Sequence, residues 1–157
     1  MKERTRDCPE AVRQGRLTKA IEFYDAAVVV EDDMPNASVD LFVDAGIAAA
    51  DAICCSRLGV YAAGENHNEA ISLLEQAERG IEKHLRTLLN LKSKVAYTHQ
   101  PVTADERKRA SRAAAAMVEA SRRISARATP RGPEPRVEQH DSGPRGGAAD
   151  QPREKGC

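Results

Sequence analysis

The chain has 157 residues, 41% hydrophobic and 31% charged, and its 24 basic residues balance 24 acidic ones. That profile fits one soluble domain and excludes a fibrous, collagen-like or wholly disordered chain. No apolar run approaches the roughly 18 residues that cross a bilayer, so no membrane partner is expected.

The opening MKERTRDCPE is charged and offers no apolar stretch to act as an export signal, which leads to an expected location in the cytoplasm. In that compartment Cys8, Cys54, Cys55 and Cys157 are expected to stay reduced. None of the four belongs to a C-x-x-C pair suited to zinc or redox chemistry, so they read as thiols without a framework.

The first amphipathic element spans roughly 9–32. Leu17, Ala20, Ile21, Tyr24, Ala27 and Val28 fall at i, i+3, i+4, i+7 spacing and form one apolar stripe. The β-branched run VVVEDD is too short for a strand and continues that stripe. After Pro35, a second helix is predicted from about Val39 to Tyr61. It carries Val39, Phe42, Val43, Ile47, Ile53, Cys54 and Leu58 among many alanines, with Gly59 and Gly64 near its end. Alanines at 45, 48, 49, 50 and 52 let neighbouring helices approach closely, which suits the central member of a bundle. Asp51 and Arg57 stand out in that setting, because a buried charge costs several kcal/mol unless it is paired. Each must reach the surface or find a partner.

Asn66 followed by Glu69 has the spacing of an N-cap with a capping-box partner, and opens a third helix with Ala70, Leu73, Leu74 and Ala77 inward. Gly80 bends or ends it. Ile81, Leu85, Leu88, Leu91 and Val95 continue an inward stripe as helix four, until Pro101 stops it. Thr103 and Glu106 repeat the capping-box signature, and Ala110, Ala113, Ala114, Met117, Val118, Ser121 and Ile124 complete a fifth stripe. No strand of comparable quality is present. The expected fold is all-α, a single four- to five-helix bundle.

Composition changes abruptly near Thr129. The final stretch carries five of the eight prolines and five of the ten glycines, with Val137 its one large aliphatic residue. Such a segment cannot bury enough apolar surface to offset roughly 1–2 kcal/mol per residue of backbone ordering. The expected organisation is therefore a helical domain over 1–128 and a disordered Pro/Gly-rich tail over 129–157. Charge is uneven too. Residues 103–131 hold eight basic against three acidic residues, whereas the first 33 hold six against eight, so the two ends either complement each other or face different partners.

Three parts of this pattern together resemble a known family: the alanine-rich second helix AGIAAADAICCSRLGVYAAGENHNEAISLL, the stretch LLNLKSKVAY, and the fifth helix VTADERKRASRAAAAMVEA. Across about residues 17–125 the chain is similar to the bacterial HEPN domains. The resemblance implies a helical bundle, often a homodimer, with two kinds of member. Active ones are RNA-cutting toxins or defence effectors. Others lack activity and bind a nucleotide, RNA or a nucleotidyltransferase-like protein partner, in toxin–antitoxin or defence settings.

Active members carry an arginine, often followed by a polar residue, and a histidine after four to six intervening positions. Laid on this chain, the arginine position falls on Lys92, the polar position on Ser93 and the histidine position on Tyr97. Lysine keeps the charge but loses the fork that grips a phosphate on two oxygens. A phenol is too weak an acid to shuttle protons near neutral pH. His99 follows Lys92 with six residues between and satisfies a looser spacing. Its plain alternative is a solvated loop histidine before Pro101. Lys92 and Lys94 likewise read either as nucleotide or RNA contacts or as the basic finish of a helix, which its dipole favours.

The cluster Arg107, Lys108, Arg109 and Arg112 is a second candidate RNA surface, since neutralised phosphates supply most salt-dependent affinity. Its alternative is a solvated face pairing with the acidic first helix. His67 with Cys54 or Cys55 does not make a metal site, because adjacent helical cysteines point about 100° apart and at most one could join the histidine. No metal and no cofactor are expected. Three functions follow: a non-catalytic module that binds a nucleotide, RNA or a partner protein; a metal-independent ribonuclease using Lys92, Tyr97 or His99; or a homodimeric scaffold without a nucleic-acid role.

Overall fold

A computed structural model describes residues 4–128. It comprises a short strand β1 (Thr5–Asp7), helix α1 (Glu10–Val30), helix α2 (Pro35–Leu58), strand β2 (Val60–Ala62), and helices α3 (His67–Ala77), α4 (Glu82–Tyr97) and α5 (Ala104–Arg127). The five-helix architecture matches the apolar periodicity. The tail expected over 129–157 lies outside the described residues.

Helix α2 packs against every other helix, and its buried face explains why. Val39, Phe42, Val43, Ala45, Ala49, Ala52 and Ile53 are all fully buried, so α1, α4 and α5 can each approach the backbone closely. The tightest approach is at Gly46, where any Cβ would collide with Leu88 Cδ1 and meet Met117 Sδ at 3.4 Å. Leu74, Leu85, Leu88 and Met117 close the core from α3, α4 and α5. On α1 the stripe is narrower than its spacing suggests: Ala20 and Ala27 are buried, whereas Val28 is 46% exposed.

Local signals set the boundaries. Pro35 is the first residue of α2 rather than a break before it, a position where a missing N–H costs nothing. Gly59 ends α2 with φ 71°, its N–H donating to the Cys55 carbonyl, as a left-handed cap favours glycine. The Asn66 side chain caps α3 by accepting the Asn68 N–H at 3.0 Å. Gly80, with φ 101°, ends one helix and redirects the chain into the next instead of bending a continuous one. The predicted capping box at Thr103 and Glu106 is formed in both directions.

Two expectations need correction. The chain has strands: β1 pairs antiparallel with β2, with Thr5 opposite Ala62, Arg6 opposite Tyr61 and Asp7 opposite Val60. Three-residue strands are too short to show an alternating pattern, so no periodicity marks them. The cysteines also have a framework. Cys8 and Cys55, 47 positions apart with Cα atoms at 5.4 Å, form a disulfide that ties the N-terminal segment to the end of α2, and Cys54 is left as a buried free thiol. Short-range spacing cannot reveal a pair that only the folded chain brings together. Among the described residues, no helix is long and apolar enough to cross a membrane.

Candidate functional site

Where α2, the β2–α3 connection and α4 meet, they enclose a cavity of about 490 Å³. Helix α4 contributes Leu85, Leu89 and Lys92, whose spacing of four and three puts them on one face, and Tyr97 from its last turn. Helix α2 contributes Ile47, Ala50 and Asp51. Glu65 and Asn66 come from the connection, and His67 is the first residue of α3. Apolar side chains from the helices share the wall with two carboxylates, one ammonium, one imidazole and one phenol, and of these five only Glu65 comes from outside a helix.

Asp51 is the charge that looked out of place on α2. It is only 15% exposed, and its partner is Arg16 of α1, whose Nε lies 3.5 Å from Oδ2. Burial pushes its carboxyl up to about 6, with the Arg16 charge pulling the other way. Arg16 in turn lies over the Tyr61 ring, 5.7 Å from its centroid. Two turns earlier on α2, Asp44 is also raised, first by burial and then by Asp40, while Lys92 counteracts both. Lys92 is therefore a half-buried cation whose field reaches α2 as well as the cavity.

The candidate residues read from the sequence separate into three groups. Lys92 and Tyr97 line the same cavity, and Tyr97 is 83% exposed. His99 lies beyond the end of α4, exposed and away from the cavity lining. Lys94 faces α5 instead, where Nζ lies 2.5 Å from Glu106 Oε1. On α5, Arg107 pairs with Glu31 at 3.4 Å and Asp32 at 3.7 Å, and Arg109 pairs with Asp105 at 3.8 Å. The basic segment thus complements the acidic end of α1, and Lys108, Arg109 and Arg112 remain exposed. Arg57, the second odd charge on α2, reaches the surface and Glu78 at 3.1 Å.

Asp51, Glu65 and His67 join the cavity without having been singled out for it. Asp51 did carry a signal, an acid within an alanine run, but its direction depends on which side of α2 lacks a neighbour. Cys54 is buried with its thiol pushed up to about 12, first by burial, and Cys55 is spent in the disulfide, so neither joins His67 at this cavity. In comparisons with known proteins, no protein-family model, no curated protein and no solved structure matches this chain.

Proposed function

We propose that this chain is a HEPN-like helical module that does no catalysis and binds a nucleotide, free or at an RNA end, in the cavity between α2, α3 and α4. The observation that carries this reading is that Lys92 and Tyr97, the residues at the motif positions, share one cavity. Its volume lies within the roughly 300–1,000 Å³ of small-molecule sites. The chemistry suits such a ligand. Lys92 offers a point charge to a phosphate, the exposed Tyr97 ring offers a stacking face to a base, and Asp51 and Glu65 accept from exocyclic amines.

A small ligand is favoured over a long RNA because the strongest basic cluster is partly neutralised: Arg107 and Arg109 already have acidic partners. A cytoplasmic location and a partner, either a second copy or a nucleotidyltransferase-like protein, belong to the same proposal. Exposed Val28, Val29 and Met34 near the end of α1 are apolar side chains that such a partner would cover.

One observation favours a second reading, a metal-independent ribonuclease. His67 brings an imidazole to the cavity that holds Lys92, supplying the group missing at position 97. Titration of ATP into wild type and Lys92→Ala tests the first reading: the variant should bind at least about tenfold more weakly, equivalent to about 1.4 kcal/mol. Equal affinities, or no binding to wild type, would count against it.

A further inference from the structure

The two half-cystines of the Cys8–Cys55 disulfide, each 6% exposed, line a second opening. A cleft of about 300 Å³, bordered by Glu10, Arg13, Arg57 and Gly59, reaches both half-cystines. This bond fastens a very small element. Beyond it, the N-terminal segment is held at β2 by the three-residue ladder of β1, by the Cys8 N–H donating to the Gly59 carbonyl at 2.9 Å, and by the Ala63 N–H donating to the Arg4 carbonyl at 2.9 Å. All three β1 side chains are exposed, so little apolar burial keeps the strand in place. A two-stranded ribbon of this length is marginal without further support. Its partner strand continues directly into the main cavity, because Ala62 and Gly64 line that cavity.

We propose that the Cys8–Cys55 disulfide is a reducible latch, opened by a small thiol entering the cleft, which pins β1 to β2 and so holds the β2 side of the main cavity. In the opening step a thiolate attacks one half-cystine, forms a mixed disulfide and releases the other sulfur as a thiolate that takes up a proton. A second thiol then attacks the reductant's sulfur in the mixed disulfide and expels the remaining protein sulfur as a thiolate that takes up a proton. Two electrons and two protons pass to the protein, leaving Cys8 and Cys55 as thiols and the reductant as its own disulfide. Cys54 adjoins Cys55 in sequence but is buried, and the burial that raises its thiol keeps it protonated, so it does not compete for the bond. The helices need no part of this link, since their core is continuous from α1 to α5. The latch does not depend on what the cavity binds.

The experiment uses the full chain equilibrated with reduced or oxidised glutathione, without denaturant. Alkylation read by mass spectrometry reports Cys8 and Cys55, and hydrogen exchange reports the backbone. The expected result is alkylation of both cysteines after reduction, with amides of residues 5–7 and 60–63 exchanging at least about tenfold faster and those around Ala49 and Ala114 unchanged. A Cys8→Ser variant should show the same pattern without any thiol, and if it does not fold the reduced wild type decides alone. Alkylation only in denaturant, unchanged exchange at 60–63, or acceleration throughout the helices would each overturn the latch.

Discussion

Lys94 Nζ lies 2.5 Å from Glu106 Oε1, and the same oxygen accepts the Thr103 N–H at 3.3 Å, so one carboxylate joins the end of α4 to the start of α5. The Thr103 hydroxyl returns the favour by accepting the Glu106 N–H at 3.1 Å. A residue that could have been an RNA contact is thus committed to a helix junction.

Thr103→Ala should therefore cost about 1 kcal/mol, the usual loss for a removed N-cap. Denaturant unfolding checks it. Lys94 and then Thr103 hold the Glu106 carboxyl below its ordinary range. Because its folded value is the lower one, its contribution is present above the unfolded value of roughly 4.3 and is lost as pH falls through the folded one. The acid limb of the stability profile should be shallower in Glu106→Gln than in wild type.

Two glycines in helix interiors should respond oppositely to one substitution. At Gly15 a Cβ meets nothing within 4 Å, so Gly15→Ala should stabilise by about 0.5–1 kcal/mol through backbone entropy and helix propensity. At Gly46 the new methyl meets buried Leu88 and Met117. Overpacking of about 1–3 kcal/mol outweighs the same gain, and Gly46→Ala should be net destabilising by about 1 kcal/mol. Thermal unfolding midpoints that shift in the same direction would contradict the central placement of α2.

Asp51 gives a pH signature. Its folded value, about 6, lies above the roughly 3.9 of an unfolded aspartate. The protonated form is favoured in the fold, so its contribution is complete below pH 4 and disappears as pH rises through 6. Asp51→Asn should gain on the order of 2–3 kcal/mol relative to wild type between pH 4 and pH 8. A constant difference across that range would show that Arg16 already compensates the buried charge.

Purified protein should leave RNA uncut. If cleavage occurs, His67→Ala and His99→Ala separate its source: loss on the first alone supports a cavity imidazole, whereas loss on the second restores the spacing read from the motif. Removing a working general base or acid typically forfeits about 10²–10⁴ in rate, far beyond assay error.

Helix identity was legible because apolar spacing and caps are local: the inward residues of α5 from Ala110 to Ile124 and the Thr103–Glu106 box lie as their pattern indicates. What stayed hidden depends on distant chain segments meeting. The Cys8–Cys55 bond, the β1–β2 pair and the Asp51–Arg16 contact each join positions dozens of residues apart, and no local period encodes them. The candidate site was half legible for the same reason. Lys92 and Tyr97 share one helix, but Asp51 and His67 reach them only through the packing of α2 and α3 on α4.

The central claim is that ligand binding occurs in the cavity lined by Asp51, Lys92 and Tyr97 rather than on the basic face of α5. Backbone amide chemical shifts followed by NMR during an ATP titration test it most directly. Binding in the cavity should give saturable shifts concentrated at residues 62–70 and 85–97, lost in Lys92→Ala. Shifts confined to Arg107–Arg112, or no saturable shift at all, would contradict it.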